Sequence, residues 1–111
     1  MKLKIALLAL AGLLVIAGSA EGSSWYVTYG QAKNTAKAYS KLSCERDNEC
    51  VAWGAGKCSR RSSARFDCLV ANFYPGVEAG EEIECQRVAH IGVRGGFVQV
   101  LSAGRYYCYT I

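Results

Sequence analysis

Six cysteines, a single histidine and a run of arginines are the residues through which this 111-residue chain can do chemistry. The cysteines are Cys44, Cys50, Cys58, Cys68, Cys85 and Cys108. None of them form a Cys-x-x-Cys unit and His90 is the only imidazole, so the ligand spacing of a structural zinc site is missing. In an exported chain an even set of cysteines reads instead as three disulfides, and paired cysteines leave no activated thiol. No metal and no other cofactor is expected. His90 and Glu84 are the first base and acid to weigh. They fall on one face of a strand but six residues apart, about 20 Å, too far to share one reacting group. Gly54, Gly56, Gly95 and Gly96 do not lead into a helix, as a phosphate-cradling loop requires, and read as packing and turn glycines. No function is expected to depend on His90.

The compartment follows from the first residues. Lys2 and Lys4 form a positive start, Ile5 to Gly18 is apolar, and Gly18-Ser19-Ala20 offers small side chains for cleavage, the pattern of a secretory signal. Cleavage is expected near Ala20. The apolar run falls short of the roughly 20 residues a bilayer span needs, so the mature form is expected to be secreted and not to span a membrane. The chain divides into a signal peptide (1–20), a lead-in segment (21–30) and one domain (31–111). Thirteen Lys and Arg against nine Asp and Glu give a formal charge of +4, which loss of Lys2 and Lys4 halves. That balance is too mild to argue for nucleic acid. A domain this small builds a limited core, and cross-links are expected to supplement it.

Ala32, Ala36, Tyr39 and Leu42 or Ser43 recur at helical spacing from Gln31 to about Leu42, with Lys33, Lys37 and Lys41 on a solvated side. Beyond Cys50 the pattern turns strand-like over Cys50 to Arg61, Ala64 to Tyr74, Glu81 to Arg94 and Phe97 to Tyr109. The breaks at Ser62-Ser63, Pro75-Gly76 through Gly80, and Gly95-Gly96 are short enough for hairpins. The expected fold is therefore α+β, with one N-terminal helix packed on a four-stranded antiparallel meander.

Cysteines set the register. Cys58 opposite Cys68 centres the first hairpin on Ser63, and Cys85 opposite Cys108 centres the third on Gly96, with a bulge near Ala103-Gly104 shifting it. Cys68 opposite Cys85 then places the middle turn between Gly76 and Val77 and lines four cysteines in one row. Bridging Cys68 to Cys85 would leave the outer pair about 14 Å apart, beyond disulfide reach. The row therefore selects Cys58–Cys68 and Cys85–Cys108, leaving Cys44–Cys50 to tie the helix end to the first strand.

Side chains alternate along a strand, so this register sorts them by face. The cysteine side takes Ala52, Gly54, Gly56, Phe66, Val70, Ile83, Ala89, Ile91, Val93, Val98 and Val100, and seats the helix. The other takes Trp53, Lys57, Arg65, Asp67, Leu69, Ala71, Phe73, Glu84, Val88, His90, Leu101 and Tyr107. Trp53 and Phe73 become a cross-strand aromatic pair flanked by Lys57, Arg65 and Leu69. Two arrangements fit: an exposed patch of the kind that marks contact sites, or a pair covered by the Trp25 to Tyr29 segment. Lys57, Arg60, Arg61, Arg65 and Arg94 collect near the first and third hairpin turns, with Glu78, Glu81, Glu82 and Glu84 at the opposite end. Such polarity suits a protein partner or an anionic cell-surface polymer.

Cys44-x5-Cys50, the stretch from Trp53 through Cys58-Ser59-Arg60-Arg61 to Arg65-Phe66-Asp67-Cys68, and Glu84-Cys85 together resemble small secreted actinobacterial cysteine-rich proteins of unassigned function. The helix-plus-meander order also resembles cystatin-like and secreted β-lactamase-inhibitor modules, which implies a binding or inhibitory role. Secreted microbial ribonucleases combine one His with Glu, Arg and Tyr, an analogy that would recruit Glu82, Arg87 or Tyr107. The expected function is a secreted, disulfide-stabilised binding or inhibitor-like module. The alternatives are a structural or envelope-associated protein and a small secreted hydrolase.

Overall fold

The computed structural model describes residues 25–111; the expected signal peptide and the first part of the lead-in segment lie outside the described residues. Thr28 sets where the helix begins. The Gln31 backbone N–H donates to its hydroxyl at 3.1 Å, and the Thr28 N–H donates to the Gln31 side chain at 2.9 Å, a reciprocal capping box. Helix α1 therefore spans Tyr29–Glu45, two residues earlier than its apolar spacing alone suggests. Ala32, Ala36, Ser40 and Cys44 are its buried residues. Spaced four apart, they form one line of small side chains that lets the helix sit close to the sheet. Leu42, expected on this face, is instead exposed, because Ser40 and Cys44 carry the contact.

Strands β1 (Ala52–Ser62), β2 (Arg65–Pro75), β3 (Glu82–Arg94) and β4 (Phe97–Ala103) form an antiparallel sheet in the order β1-β2-β3-β4. A fifth strand, β5 (Tyr107–Thr110), pairs with the first part of β3, while β4 pairs with the last part. The single strand expected from Phe97 to Tyr109 is thus broken after Ala103. Tyr106 accounts for the break by turning to the helix side. Its ring lies 4.2 Å from the Arg87 guanidinium, and its hydroxyl accepts from Asn72 at 3.5 Å. Gly95 and Gly96 both have positive φ, 61° and 83°, as the tight turn between β3 and β4 demands.

All three expected disulfides are present, Cys44–Cys50, Cys58–Cys68 and Cys85–Cys108. The single cysteine row is not. Cys68 opposes Ala89 and Cys85 opposes Asn72, because β2 and β3 are joined by residues 76–81 rather than by a turn at Gly76-Val77. The offset is four residues, an even number, so every β2 and β3 side chain keeps its expected face. In β1 the outcome differs. A bulge between Ala55 and Cys58 shifts the pairing by one, so Trp53 opposes Asn72 and Ala55 opposes Val70. Trp53 therefore lies on the helix side and forms no pair with Phe73, whose β1 partner is Ala52.

The core lies between α1 and the cysteine face of the sheet. Phe66, Cys68, Val70, Ala89 and Ile91 meet Ala32 and Ala36, and Val27 closes the end. Val93, Val98 and Val100 pack against this cluster as their alternation predicts. On the same side Ser40 and Asn72 bond across layers, while Arg87 Nε is buried without a hydrogen-bond partner. Ser40 donates to the Ala71 carbonyl at 2.9 Å and to Asn72 Oδ1 at 3.2 Å. At the far end Tyr74 donates to Asp47 at 2.9 Å. Partial burial, and then that hydrogen bond, push the phenol above its ordinary pKa.

Candidate functional site

Cross-strand pairing brings together, on the face away from α1, residues far apart in sequence. Asp67 on β2 opposes His90 on β3, and His90 opposes Ser102 on β4. Directly opposed residues of a sheet share a face, so an acid, an imidazole and a hydroxyl stand in one row over three strands. His90 Nδ1 lies 2.8 Å from Asp67 Oδ1, and Arg61 Nε lies 3.4 Å from Asp67 Oδ2. Both carboxylate oxygens are thereby engaged. An ionised carboxylate only accepts, so the proton of the first bond sits on Nδ1 and Nε2 is left for other partners.

Arg65 completes the cleft in another way. A side-chain carbon at Gly92 would fall 2.9 Å from Arg65 Nε and 2.6 Å from Leu101 Cδ1. Gly92 is therefore the bare floor on which Arg65 and Leu101 lie. Among the described residues no carboxylate ion-pairs with Arg65, since both ion pairs found involve Asp67. Arg61, Arg65, Asp67, His90, Leu101 and Ser102 line a cleft of about 490 Å³. Its contents amount to one hydrogen-bonded Asp-His pair, one arginine that balances the aspartate and one arginine without a counterion.

Sequence reasoning did not find this pair. With the middle turn placed at Gly76-Val77, Asp67 falls opposite Gln86, four residues from His90. The expectation that His90 has no partner within reach is corrected by the Asp67 contact. The signal that could have found it is the length of the Pro75-to-Gly80 break, which accommodates the longer loop.

Other expected site residues divide between the two faces. Leu69 and Phe73 lie half-buried on the open side, Leu69 over Gly56. Lys57 is exposed at the β1 bulge, and Arg94 is exposed at the end of β3, neither lining the cleft. Trp53, 40% exposed, and Arg60 belong to the helix side. Arg60 is stacked between the Tyr26 and Phe66 rings, 4.5 and 4.4 Å from their centres. It donates to the carbonyls of Val27 at 2.8 Å and of Ser62 and Ser63 at 3.0 Å. It is a clamp on the arm before α1, and that arm therefore runs along the helix side instead of covering the open face.

Of the residues that a ribonuclease analogy would recruit, Arg87 opposes the core residue Val70 and bonds Tyr39 on the helix side. Tyr107, in contrast, pairs with Gln86 on the open side, so the set does not assemble. Near Tyr107, Gln86 donates to Glu84 and to Tyr109, each at 2.8 Å. Hydrogen bonding to Glu84 raises the Tyr109 pKa. Among the described residues no three His, Cys, Asp or Glu gather as a metal site, and no helix is long and apolar enough to cross a membrane. Comparison with protein families, curated proteins and solved structures finds no match to this chain.

Proposed function

We propose that this protein is a secreted, disulfide-stabilised binding module that holds an anionic extracellular partner on the uncovered face of its sheet. One observation carries the reading. Leu69, Val88, Phe73, Tyr107 and Tyr109 share that face with Arg61, Arg65 and His90, and no layer of the described chain lies over it. A face that only met water would not need this apolar and aromatic content; Tyr107 is 72% exposed. Three disulfides support an oxidising compartment, and the leader-like start supports export. The unpaired charge of Arg65 at one end favours an acidic partner over a basic one.

The test uses the oxidised mature protein against an isolated anionic envelope polymer and against fractionated proteins of the native secretome. Val88→Asp and Arg65→Gln, both on the open face, are expected to weaken capture at least tenfold while near-UV circular dichroism stays unchanged. Capture that survives both changes but is lost on Lys37→Glu would move the contact to the helix and overturn the reading. The Asp67–His90 contact favours a second reading, a small hydrolase in which His90 Nε2 acts as a general base. Turnover of RNA, peptide or glycan substrates that disappears in His90→Ala would establish it.

A further inference from the structure

The geometry points to the Gly92-floored cleft as a subsite for a phosphate-type tetrahedral oxyanion, an inference that rests on the binding reading above and names the group the open face takes. Three donors converge from three strands. Arg65 comes from β2 with no counterion among the described residues, His90 from β3 and the Ser102 hydroxyl from β4. A planar carboxylate offers two oxygens to such a set, whereas a phosphate offers three or four in a tetrahedral arrangement. Asp67 does not defeat the site, because its charge is set against Arg61 at 3.4 Å and one of its oxygens is held by His90 at 2.8 Å. It instead fixes the imidazole so that Nδ1 carries a proton and Nε2 meets the ligand.

That arrangement settles which ring nitrogen meets the anion. With Nδ1–H already donated to Asp67, Nε2 donates to an oxyanion only when the ring holds its second proton. On a neutral ring Nε2 accepts instead from a protonated phosphate oxygen, so the contact forms in either ring state. The other charged groups facing the ring are Asp67 and Arg65 from β2 and Arg61 from β1; β4 contributes only the neutral Ser102 and Leu101. The cleft, about 490 Å³, is larger than a phosphate group and leaves room for what the phosphate is attached to.

Because His90 is the only histidine in the chain, its ring resonances report on this site alone. Inorganic phosphate and a glycerol-phosphate oligomer are titrated into the oxidised mature protein at constant ionic strength, and the ring signals are followed by NMR. Saturable shifts are expected with a Kd on the order of 1 mM, weakened at least tenfold by Arg65→Gln. Gly92→Ala, which retains the arginine but removes its floor, should reproduce the loss, whereas Arg94→Gln should stay within twofold of wild type. Tighter binding of the oligomer assigns the phosphate to a polymer; equal binding per phosphate assigns it to a free ligand. Shifts that chloride reproduces, or that Arg65→Gln leaves intact, overturn the subsite. Partner capture lost in Val88→Asp but not in Arg65→Gln would also reject the subsite while leaving the module reading in place. Should Gly92→Ala fail to fold, Arg65→Gln still decides.

Discussion

Asp67 and His90 are direct partners across β2 and β3, with Oδ1 2.8 Å from Nδ1, although 23 residues separate them in the chain. The contact follows from loop length, because residues 76–81 between Pro75 and Glu82 bring His90 opposite Asp67, where a tighter turn would set Gln86 against that acid. On a partly open surface such a pair is worth more as an orienting device than as a source of stability. The side chains are 43% and 28% exposed, so solvent screens the attraction.

Asp67→Ala is accordingly expected to lower unfolding free energy by no more than about 1 kcal/mol. Its effect on the ring should be larger. In the wild-type protein at pH 8, ring 15N shifts should report a proton on Nδ1; in the variant the proton is no longer held there. Equal tautomer signatures in both proteins would show that Asp67 does not orient His90 in solution.

Arg60 presents the opposite case, a residue whose basic neighbourhood suggests binding and whose contacts are internal. Arg60→Ala removes two ring-stacking contacts and three hydrogen bonds to carbonyls. Stability should fall by about 1–3 kcal/mol. The Val27 amide, which donates to the Ser63 carbonyl at 2.8 Å, should exchange with solvent much faster. Arg60→Lys should not restore either quantity, since an ammonium cannot form the planar stack and the fork together. Full protection of Val27 in Arg60→Ala would remove the clamp from the account.

How far the sequence leads depends on which local signals fix each hairpin. Cys58 and Cys68 flank a short turn, so their opposition is readable from spacing, and period-two alternation in β2 and β3 assigns Phe66, Val70 and Ile91 to the core. Gly95-Gly96 marks its own turn. Three features carry no comparable signal. The β1 bulge beside Gly56 reverses Trp53 and Ala55, because one extra residue exchanges the faces of a strand. The β2–β3 register depends on a loop whose ends are ambiguous in sequence, and the Asp67–His90 row depends on that register. Tyr106 leaves its strand for Arg87 and Asn72, partners that only the folded sheet brings near.

Tyr74 gives a pH dependence with a definite sign. Its folded pKa is raised, chiefly by partial burial and then by donation to Asp47, so the native state favours the neutral phenol. A group of this kind contributes its stability below the unfolded tyrosine pKa of about 10, and the contribution is lost as pH rises through the folded value. Unfolding midpoints measured from pH 8 to pH 11 should fall at the alkaline end, and Tyr74→Phe should flatten part of that fall. An identical alkaline slope in the variant would exclude Tyr74 as a source.

The disulfides should rank by the chain they enclose. Sequence separations are 6 for Cys44–Cys50, 10 for Cys58–Cys68 and 23 for Cys85–Cys108. Loop-closure entropy then gives contributions of about 2.2, 2.7 and 3.4 kcal/mol in that order. The last bridge has a local role as well. β5 holds only Tyr107–Thr110 and pairs with β3 alone, so Cys108 is its covalent anchor. Replacing Cys85 and Cys108 together by Ser should cause the largest loss of denaturation midpoint among the three double variants. Amides of β5 should lose protection before those of β2 do. Non-reducing peptide mapping that recovers any other pairing, or a double variant that keeps β5 fully protected, would show that strand pairing and not the bridge holds this last strand to the sheet.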